Sequence, residues 1–295
     1  MHDNEIWDEW AKSISKMELK EWVTLGLNFN GVWPEWAEAI SKMKLKNWVT
    51  LDLRDNRIWA EWAKAIAENM ELKNWVALNL ENNKIWDEWA GVISKMKLKE
   101  WVTLNLNENW IWAGWAEALS KMELKEWVSL ILRANQIWAE WAKAMAENIE
   151  LKRWVTLDLN LNHIWDEWIK AIAENMELKE WVSLDLSSNE FGDEWAKTIA
   201  ENMELKEWVN LNFSGNKIWD EWAEALSHME LKEWVTLNFI FNQIWNAWVE
   251  AIIKNMKLKN GVTLYLGWLD DEMKIKLKEW EKSYRDKWIH CEVKI

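Results

Sequence analysis

The sequence predicts an α/β fold: a curved solenoid with parallel strands on the concave face and helices on the convex face. Three observations predict it. Short alternating segments such as Val-Thr-Leu-Asp-Leu recur every 26 or 27 residues, an asparagine follows nine of them at a fixed distance, and an amphipathic segment comes next. A single unit of this kind cannot bury its own apolar face, so neighbouring units are expected to stack into one continuous core.

A Leu-x-Leu core marks the strand of each unit. Alternation predicts that Leu51 and Leu53 face the interior, whereas Thr50 and Asp52 face outward. The first leucines of the ten cores are Leu25, Leu51, Leu78, Leu104, Leu130, Leu157, Leu184, Leu211, Leu237 and Leu264.

The asparagine lies five residues after that first leucine, where its side chain can bond the backbone of a neighbouring unit and turn the chain. We therefore predict a buried asparagine ladder rather than a ligand contact. Its members are Asn30, Asn56, Asn83, Asn109, Asn135, Asn162, Asn189, Asn216 and Asn242.

A helix is predicted after each turn, because acidic residues there favour the positive amino end of a helix. Ala63, Ile66, Ala67 and Met70 then fall at helical spacing and form one apolar stripe.

Two domains are predicted. Residues 1–269 form the solenoid of about ten strand–helix units, and residues 270–295 form a helix–strand cap. The tenth unit lacks the asparagine and has Leu269 in its place, followed by a helix from about Glu272 to Asp286. The first unit has no strand before it, so we expect an incomplete chain or a mis-assigned start.

Composition excludes several classes of protein. A net charge of −14 argues against nucleic acid and anionic membranes as partners, and no apolar run approaches the ~20 residues of a membrane span. The single cysteine, Cys291, slightly favours the cytoplasm. His2, His163, His228 and His290 lie in different units, and no phosphate loop or nucleophile motif is present. We expect a monomer with no metal, no cofactor and no catalytic site.

The segment Asn-Lys-Ile-Trp-Asp-Glu-Trp-Ala-Glu-Ala-Leu, residues 216–226, resembles the ribonuclease-inhibitor type of leucine-rich repeat. The resemblance recurs over roughly residues 3–267. It implies a solenoid whose concave face binds a protein partner. The family pattern has glycine at the two positions that are tryptophan here.

Three tryptophan series account for 28 of the 32 tryptophans. The first is Trp7, Trp33, Trp59, Trp86, Trp112, Trp138, Trp165, Trp219 and Trp245, with Gly192 in one unit. The second is Trp10, Trp36, Trp62, Trp89, Trp115, Trp141, Trp168, Trp195, Trp222 and Trp248. The third, before the strand, is Trp22, Trp48, Trp75, Trp101, Trp127, Trp154, Trp181, Trp208 and Trp234, with Gly261 in the last unit.

Tryptophan at a glycine position is expected to overpack the coils, and positive φ at such turns would add strain. Our hypothesis is that most of these residues are glycine in the natural protein, in a gene whose UGA codons specify glycine but were translated as tryptophan. The alternative is a genuine tryptophan-rich repeat with indoles stacked between coils.

The outward side chains and the turn after each strand vary while the frame stays constant, and we predict that they bind a protein or peptide. The predicted residues are Phe29, Asp52, Arg54, Asp55, Ile131, Arg133, Asp158, Leu161, Asp185, Ile240, Phe241 and Tyr265. Two alternatives stay open: the recognition region of a larger effector or enzyme with its catalytic part upstream, and a structural or idealised array with no dedicated ligand.

Overall fold

The computed structural model describes residues 13, 16–30, 39–56, 58, 60–86, 92, 95–111, 122–137, 149–192, 196–219, 225–267, 269–287 and 292–294. In these residues eleven short strands form one parallel sheet in sequence order, β1 to β11. They are β1 Thr24–Gly26, β2 Thr50–Asp52, β3 Ala77–Asn79, β4 Thr103–Asn105, β5 Ser129–Ile131, β6 Thr156–Asp158, β7 Ser183–Asp185, β8 Asn210–Asn212, β9 Thr236–Asn238, β10 Thr263–Tyr265 and β11 Glu292–Lys294.

Helices connect several of these strands. In the described residues they are α1 Ala60–Asn69, α2 Asp166–Asn175, α3 Ala196–Asn202, α4 Asn246–Asn255 and α5 Asp271–Arg285. Helix α2 has Asp166 and Glu167 in its first turn, as the acidic pattern predicts. Ile66 in α1 and Met70, the residue directly after α1, are buried, which confirms those two members of the apolar stripe. The fold class is therefore the α/β solenoid that the sequence predicts.

One core runs through all the described coils, each coil being one strand with the turn and helical segment that follow it. The predicted alternation is confirmed, because Leu51 and Leu53 have no exposed surface while Thr50 and Asp52 are half-buried. Neighbouring strands pair with equivalent residues opposite each other, as in Leu51 with Leu78 and Leu78 with Leu104. The outward residues of successive coils therefore stand in straight rows across the sheet.

The asparagine ladder is confirmed. Asn56 is fully buried, and its Oδ1 accepts a hydrogen bond from the Asn30 backbone N–H at 2.9 Å. Its Nδ2 donates to the carbonyl of Leu27 in the preceding coil at 2.9 Å and to that of Leu53 in its own coil at 2.8 Å. The same pattern recurs up to Asn242. Each asparagine thus satisfies backbone groups of two coils that would otherwise be buried without partners.

The third tryptophan series forms an aromatic ladder along the surface. Consecutive rings from Trp22 to Trp234 stack with centroids 3.7–4.4 Å apart and interplanar angles of 1–15°. All nine residues have φ between 60° and 67°, and Gly261 at the same position has φ 74°. The predicted positive φ is confirmed here, whereas the expected overpacking is wrong, because the rings stack outside the core and strand pairing is uninterrupted.

The other two series behave differently. Trp165 and Trp245, of the first series, have φ of −105° and −116° and are more than half exposed, so the expectation of positive φ and overpacking is wrong there. Trp248, of the second series, is 1% exposed, and its buried indole N–H has no hydrogen-bond partner among the described residues. An unsatisfied buried donor is unfavourable. Trp59, Trp112 and Trp138 lie outside the described residues.

The end of the chain has the predicted helix and strand. Helix α5 spans Asp271–Arg285, and Asp270 caps it by accepting a hydrogen bond from the Met273 N–H at 2.8 Å. Strand β11 pairs in parallel with β10, and Leu269 is buried where the other coils carry asparagine. The division into a solenoid and a separate cap stays a prediction.

Candidate binding surface

The strand face is the surface formed by the outward side chains of β1–β10 and of the two residues that precede each asparagine. Because the register is regular, it consists of rows with one residue from each coil. Two rows matter most. The strand-end row is the last residue of each strand, and the turn row is the residue immediately before each asparagine.

The strand-end row is a row of side chains that stabilise turns. Asp or Asn recurs there, and its Oδ1 accepts a hydrogen bond from the backbone N–H two residues on, an Asx-turn. The acceptors are Asp52, Asn79, Asn105, Asp158, Asp185, Asn212 and Asn238, at 2.9–3.2 Å. Sequence reasoning missed this role, although the recurrence of Asp or Asn at one position is the signal that could have revealed it.

Asp52, Asp158 and Asp185, three of the predicted partner-binding residues, therefore each have a structural role in their own coil. Asp52 also forms an ion pair with Arg54, whose guanidinium lies 3.1 Å from the carboxylate. The Nε of Arg54 is buried and has no hydrogen-bond partner in the part of the chain that the structure describes. Arg54 is thus held against the sheet by the neighbouring acid.

The row changes at β5. Ile131 has no acceptor to offer, and the Arg133 backbone N–H instead donates to Oδ1 of Asn107 in the preceding coil at 2.9 Å. Ile131 is half-buried rather than exposed as expected, while Arg133 is exposed. This replacement leaves an apolar side chain at the centre of an otherwise polar row.

Asp158 and Asp185 stand opposite each other on β6 and β7. Burial raises the pKa of Asp158, and the nearby Asp185 raises it further, while the hydrogen bond from the Asn160 N–H and the charge of Arg133 lower it. Asp185 is more fully bonded: its carboxylate accepts from the Ser187 N–H and from Asn212 Nδ2, each at 2.9 Å.

The turn row consists of residues with left-handed backbone. Their φ values lie between 49° and 66°, a region that side chains other than glycine seldom adopt. The row is Phe29, Asp55, Asn82, Glu108, Ala134, Leu161, Ser188, Gly215 and Phe241. Phe29, Leu161 and Phe241 are 50%, 45% and 75% exposed. These large apolar side chains are therefore solvent-exposed and belong to residues with a strained backbone conformation.

Phe241 has apolar neighbours towards the end of the sheet. Ile240 precedes it, and Tyr265 ends the next strand; both are half-buried. Lys294 Nζ lies 4.9 Å from the Tyr265 ring centroid and donates to its hydroxyl at 3.1 Å. The structure therefore brings Ile240, Phe241 and Tyr265 together, while Phe29 stands eight coils away, at the other end of the sheet.

No cluster of three or more His, Cys, Asp or Glu side chains suited to a metal ion occurs among the residues that the structure describes. His290 and Cys291 lie outside them. Within the same residues, no helix has the length and hydropathy needed to cross a membrane.

The comparison with known families identifies the unit. A family model described as "Leucine Rich repeat" matches residues 182–200, which contain strand β7, the ladder residue Asn189 and the start of α3. The coil that contains residues 182–200 is thus similar to a leucine-rich repeat. The other described coils share its strand, turn and asparagine ladder, so the leucine-rich-repeat architecture extends through the sheet.

Among curated proteins none matches the chain. Among solved structures the chain is similar to the LRR ectodomain of the plant membrane receptor kinase GASSHO1/SCHENGEN3 from Arabidopsis thaliana, solved in complex with CASPARIAN STRIP INTEGRITY FACTOR 2. The identity is 16% and the TM-score 0.42, with 90% of this chain and 32% of that chain covered. The chain thus spans about a third of that ectodomain chain.

Proposed function

We propose that this leucine-rich-repeat chain is a non-catalytic scaffold that binds a protein or peptide on its strand face. The observation that carries the proposal is the turn row, where Phe29, Leu161 and Phe241 expose large apolar side chains on left-handed backbone. Neither the exposure nor the φ favours folding. Strained backbone with exposed apolar groups is typical of surfaces that contact another molecule.

The contrast between frame and surface supports the same proposal. Buried positions repeat Leu, Ile and Val from coil to coil, whereas the turn row carries aromatic, acidic, amide, aliphatic and small residues in no repeating order. A frame that is constant beneath a surface that varies is suited to recognition rather than to a reaction. We further propose that the chain acts as a monomer and binds neither nucleic acid nor membrane.

Selection of peptides from a displayed random library on the immobilised chain tests this function. Selected peptides should lose binding to Phe241→Ala and Arg133→Ala, whose side chains are exposed on the strand face. Binding should be unchanged for Ile275→Ala, whose side chain is 59% exposed on helix α5. Peptides that bind all three variants as well as the wild-type chain would show that the strand face is not the binding surface.

Two alternatives to the scaffold function remain open. As the recognition region of a larger effector or enzyme, the chain would use the same strand face, and the full open reading frame would reveal a catalytic part. As a structural array with no ligand, it would select no strand-face peptide at all.

We also propose that the chain is of the ribonuclease-inhibitor type and that most tryptophans of the three series are glycine in the natural protein. The support comes from the aromatic ladder, where nine tryptophans share a φ of 60–67° with Gly261 at 74°. This conformation costs an ordinary residue roughly 1–2 kcal/mol and glycine almost nothing. Stacking offsets part of that cost, at ~0.5–1.5 kcal/mol per pair.

The codons decide this point. UGA at Trp48, Trp75 and Trp127, with a GGN codon at Gly261, would support replacement of glycine through the genetic code. UGG at those three tryptophans would refute it and leave a genuine tryptophan-rich repeat.

A further inference from the structure

The centre of the strand face combines acidic and apolar side chains in a defined geometry. Ile131, Asp158 and Asp185 are paired in register on β5, β6 and β7, so they stand about 4.8 Å apart, at the spacing of adjacent strands. Leu161 follows Asp158 at the turn row and is 45% exposed. The carboxylates of Asp158 and Asp185 therefore lie side by side, with Ile131 on the neighbouring strand and Leu161 in the turn that follows Asp158.

The charge of Asp158 is poorly compensated within the described part of the chain. Its Oδ1 accepts one hydrogen bond, from the Asn160 N–H at 2.9 Å, and no Lys or Arg there forms an ion pair with it. Burial and the neighbouring Asp185 raise its pKa against the opposing effects of the Asn160 N–H and of the Arg133 charge, so the net environment disfavours the carboxylate. Asp52, at the same row position, differs because Arg54 neutralises it at 3.1 Å.

The strand face as a whole also carries more negative than positive charge. Its acidic residues on β2–β7 and the turns that follow outnumber its two arginines, Arg54 and Arg133. The acids are Asp52, Asp55, Glu81, Glu108, Asp158 and Asp185. A complementary partner for this face carries positive charge.

We propose that the strand face between β5 and β7 binds a basic segment of a peptide or protein, with a Lys or Arg side chain seated between Asp158 and Asp185. The cation neutralises both carboxylates, and its aliphatic stem packs against Ile131 and Leu161. This inference rests on the proposed scaffold function and specifies the chemistry of its partner.

Peptides selected from the random library test the inference in two steps. They should be enriched in Lys or Arg, and an unstructured synthetic copy of one should bind the purified full chain in a fluorescence-anisotropy titration. The double variant Asp158→Asn, Asp185→Asn should weaken that binding by about tenfold or more, since removing the partner of a desolvated charge pair costs at least that much. Asparagine retains the Oδ1 acceptor of both Asx-turns but not the second oxygen of Asp185, which accepts from Asn212 Nδ2. Far-ultraviolet circular dichroism of the double variant therefore verifies that the fold is preserved.

The matched control is Glu204→Gln, Glu230→Gln. It changes the net charge by the same amount at exposed glutamates that pair with Lys206 and Lys232 away from the strand face. Equal weakening by the control would overturn the inference, because binding would then follow net charge alone.

The outcomes also separate this inference from the scaffold function. Peptides without enriched basic residues that still lose binding to Phe241→Ala would overturn the basic partner and support the scaffold. A library that delivers no strand-face peptide would overturn both. Replacing the basic residues of a selected peptide by glutamine should abolish the difference between the wild-type chain and the Asp158→Asn, Asp185→Asn variant; a persisting difference would overturn the proposed seat of the cation.

Discussion

Replacement of Asn109 by alanine tests how much of the solenoid's stability depends on its asparagine ladder. Asn109 is 2% exposed and lies in the middle of the ladder. Its side chain makes five hydrogen bonds of 2.8–3.1 Å, accepting from the N–H groups of Asn83 and Ile85 and donating to the carbonyls of Leu80, Leu106 and Asn107.

Each of these bonds contributes about 1 kcal/mol net to stability, and buried backbone groups left without a partner cost at least as much. The five together predict a loss of about 5 kcal/mol. Because a typical protein is stable by only ~5–15 kcal/mol, such a loss brings the variant close to unfolding at room temperature.

Asn105→Ala is the matched control in the same coil. Its side chain is half-buried and makes two hydrogen bonds, with the Asn107 N–H and with Glu81, so at the same value per bond a loss of about 2 kcal/mol is expected. Urea denaturation followed by far-ultraviolet circular dichroism measures both free energies of unfolding. A loss for Asn109→Ala no larger than that for Asn105→Ala would refute the reasoning.

Three further predictions follow from the structure. Leu104→Ala, at a fully buried position, should lower the unfolding free energy by roughly 2–5 kcal/mol, whereas Leu161→Ala at an exposed position should change it by less than about 0.5 kcal/mol; equal losses in urea titrations would contradict the core assignment. A Cβ at Gly261 would lie 2.2 Å from the Trp234 ring, so Gly261→Ala should lower Tm in calorimetry. The double variant Gly261→Ala, Trp234→Gly should recover part of that loss; no recovery would show that the clash with Trp234 does not cause the loss of stability. The pKa of Asp158 is raised in the folded state, so its contribution to stability is present at low pH and is lost as pH rises through that pKa. Asp158→Asn should therefore raise Tm relative to wild type at pH 7 but not at pH 3. A gain in Tm that does not depend on pH would contradict this.

Much of the fold could be predicted because the repeat places equivalent residues at equivalent depths. The spacing of Leu51, Leu78 and Leu104 predicted strands that are paired in register. The asparagine that follows each strand predicted the ladder, because a buried amide at that recurring position has only backbone groups to bond.

The binding surface was harder to predict. Alternation indicates which side chains face outward. It does not indicate that Asp158 and Asp185 each accept a hydrogen bond from their own turn, or that burial raises the pKa of Asp158. Ile131 was expected to be exposed and is half-buried. These outcomes depend on turn geometry and on neighbouring coils, which spacing along the chain does not specify.

The positions of the tryptophan side chains were also difficult to predict from the sequence. Side-chain volume predicted overpacking at all three series, but rings such as Trp127 leave the core and stack on their equivalents in adjacent coils. Trp127 has a left-handed φ of 65° in the turn before a strand, whereas Trp248 is buried within helix α4.

The ladder has a direction, and that direction matters while the chain is being made. Each asparagine bonds the turn of the coil before it, so Asn56 completes the turn at Asn30, and the completing residue emerges from the ribosome 24 to 27 positions later. A nascent chain therefore always carries one unfinished turn at its growing end, and every newly added coil closes its predecessor. The direction of the ladder bonds thus matches the direction of synthesis, since the residue that completes each turn is always made after that turn.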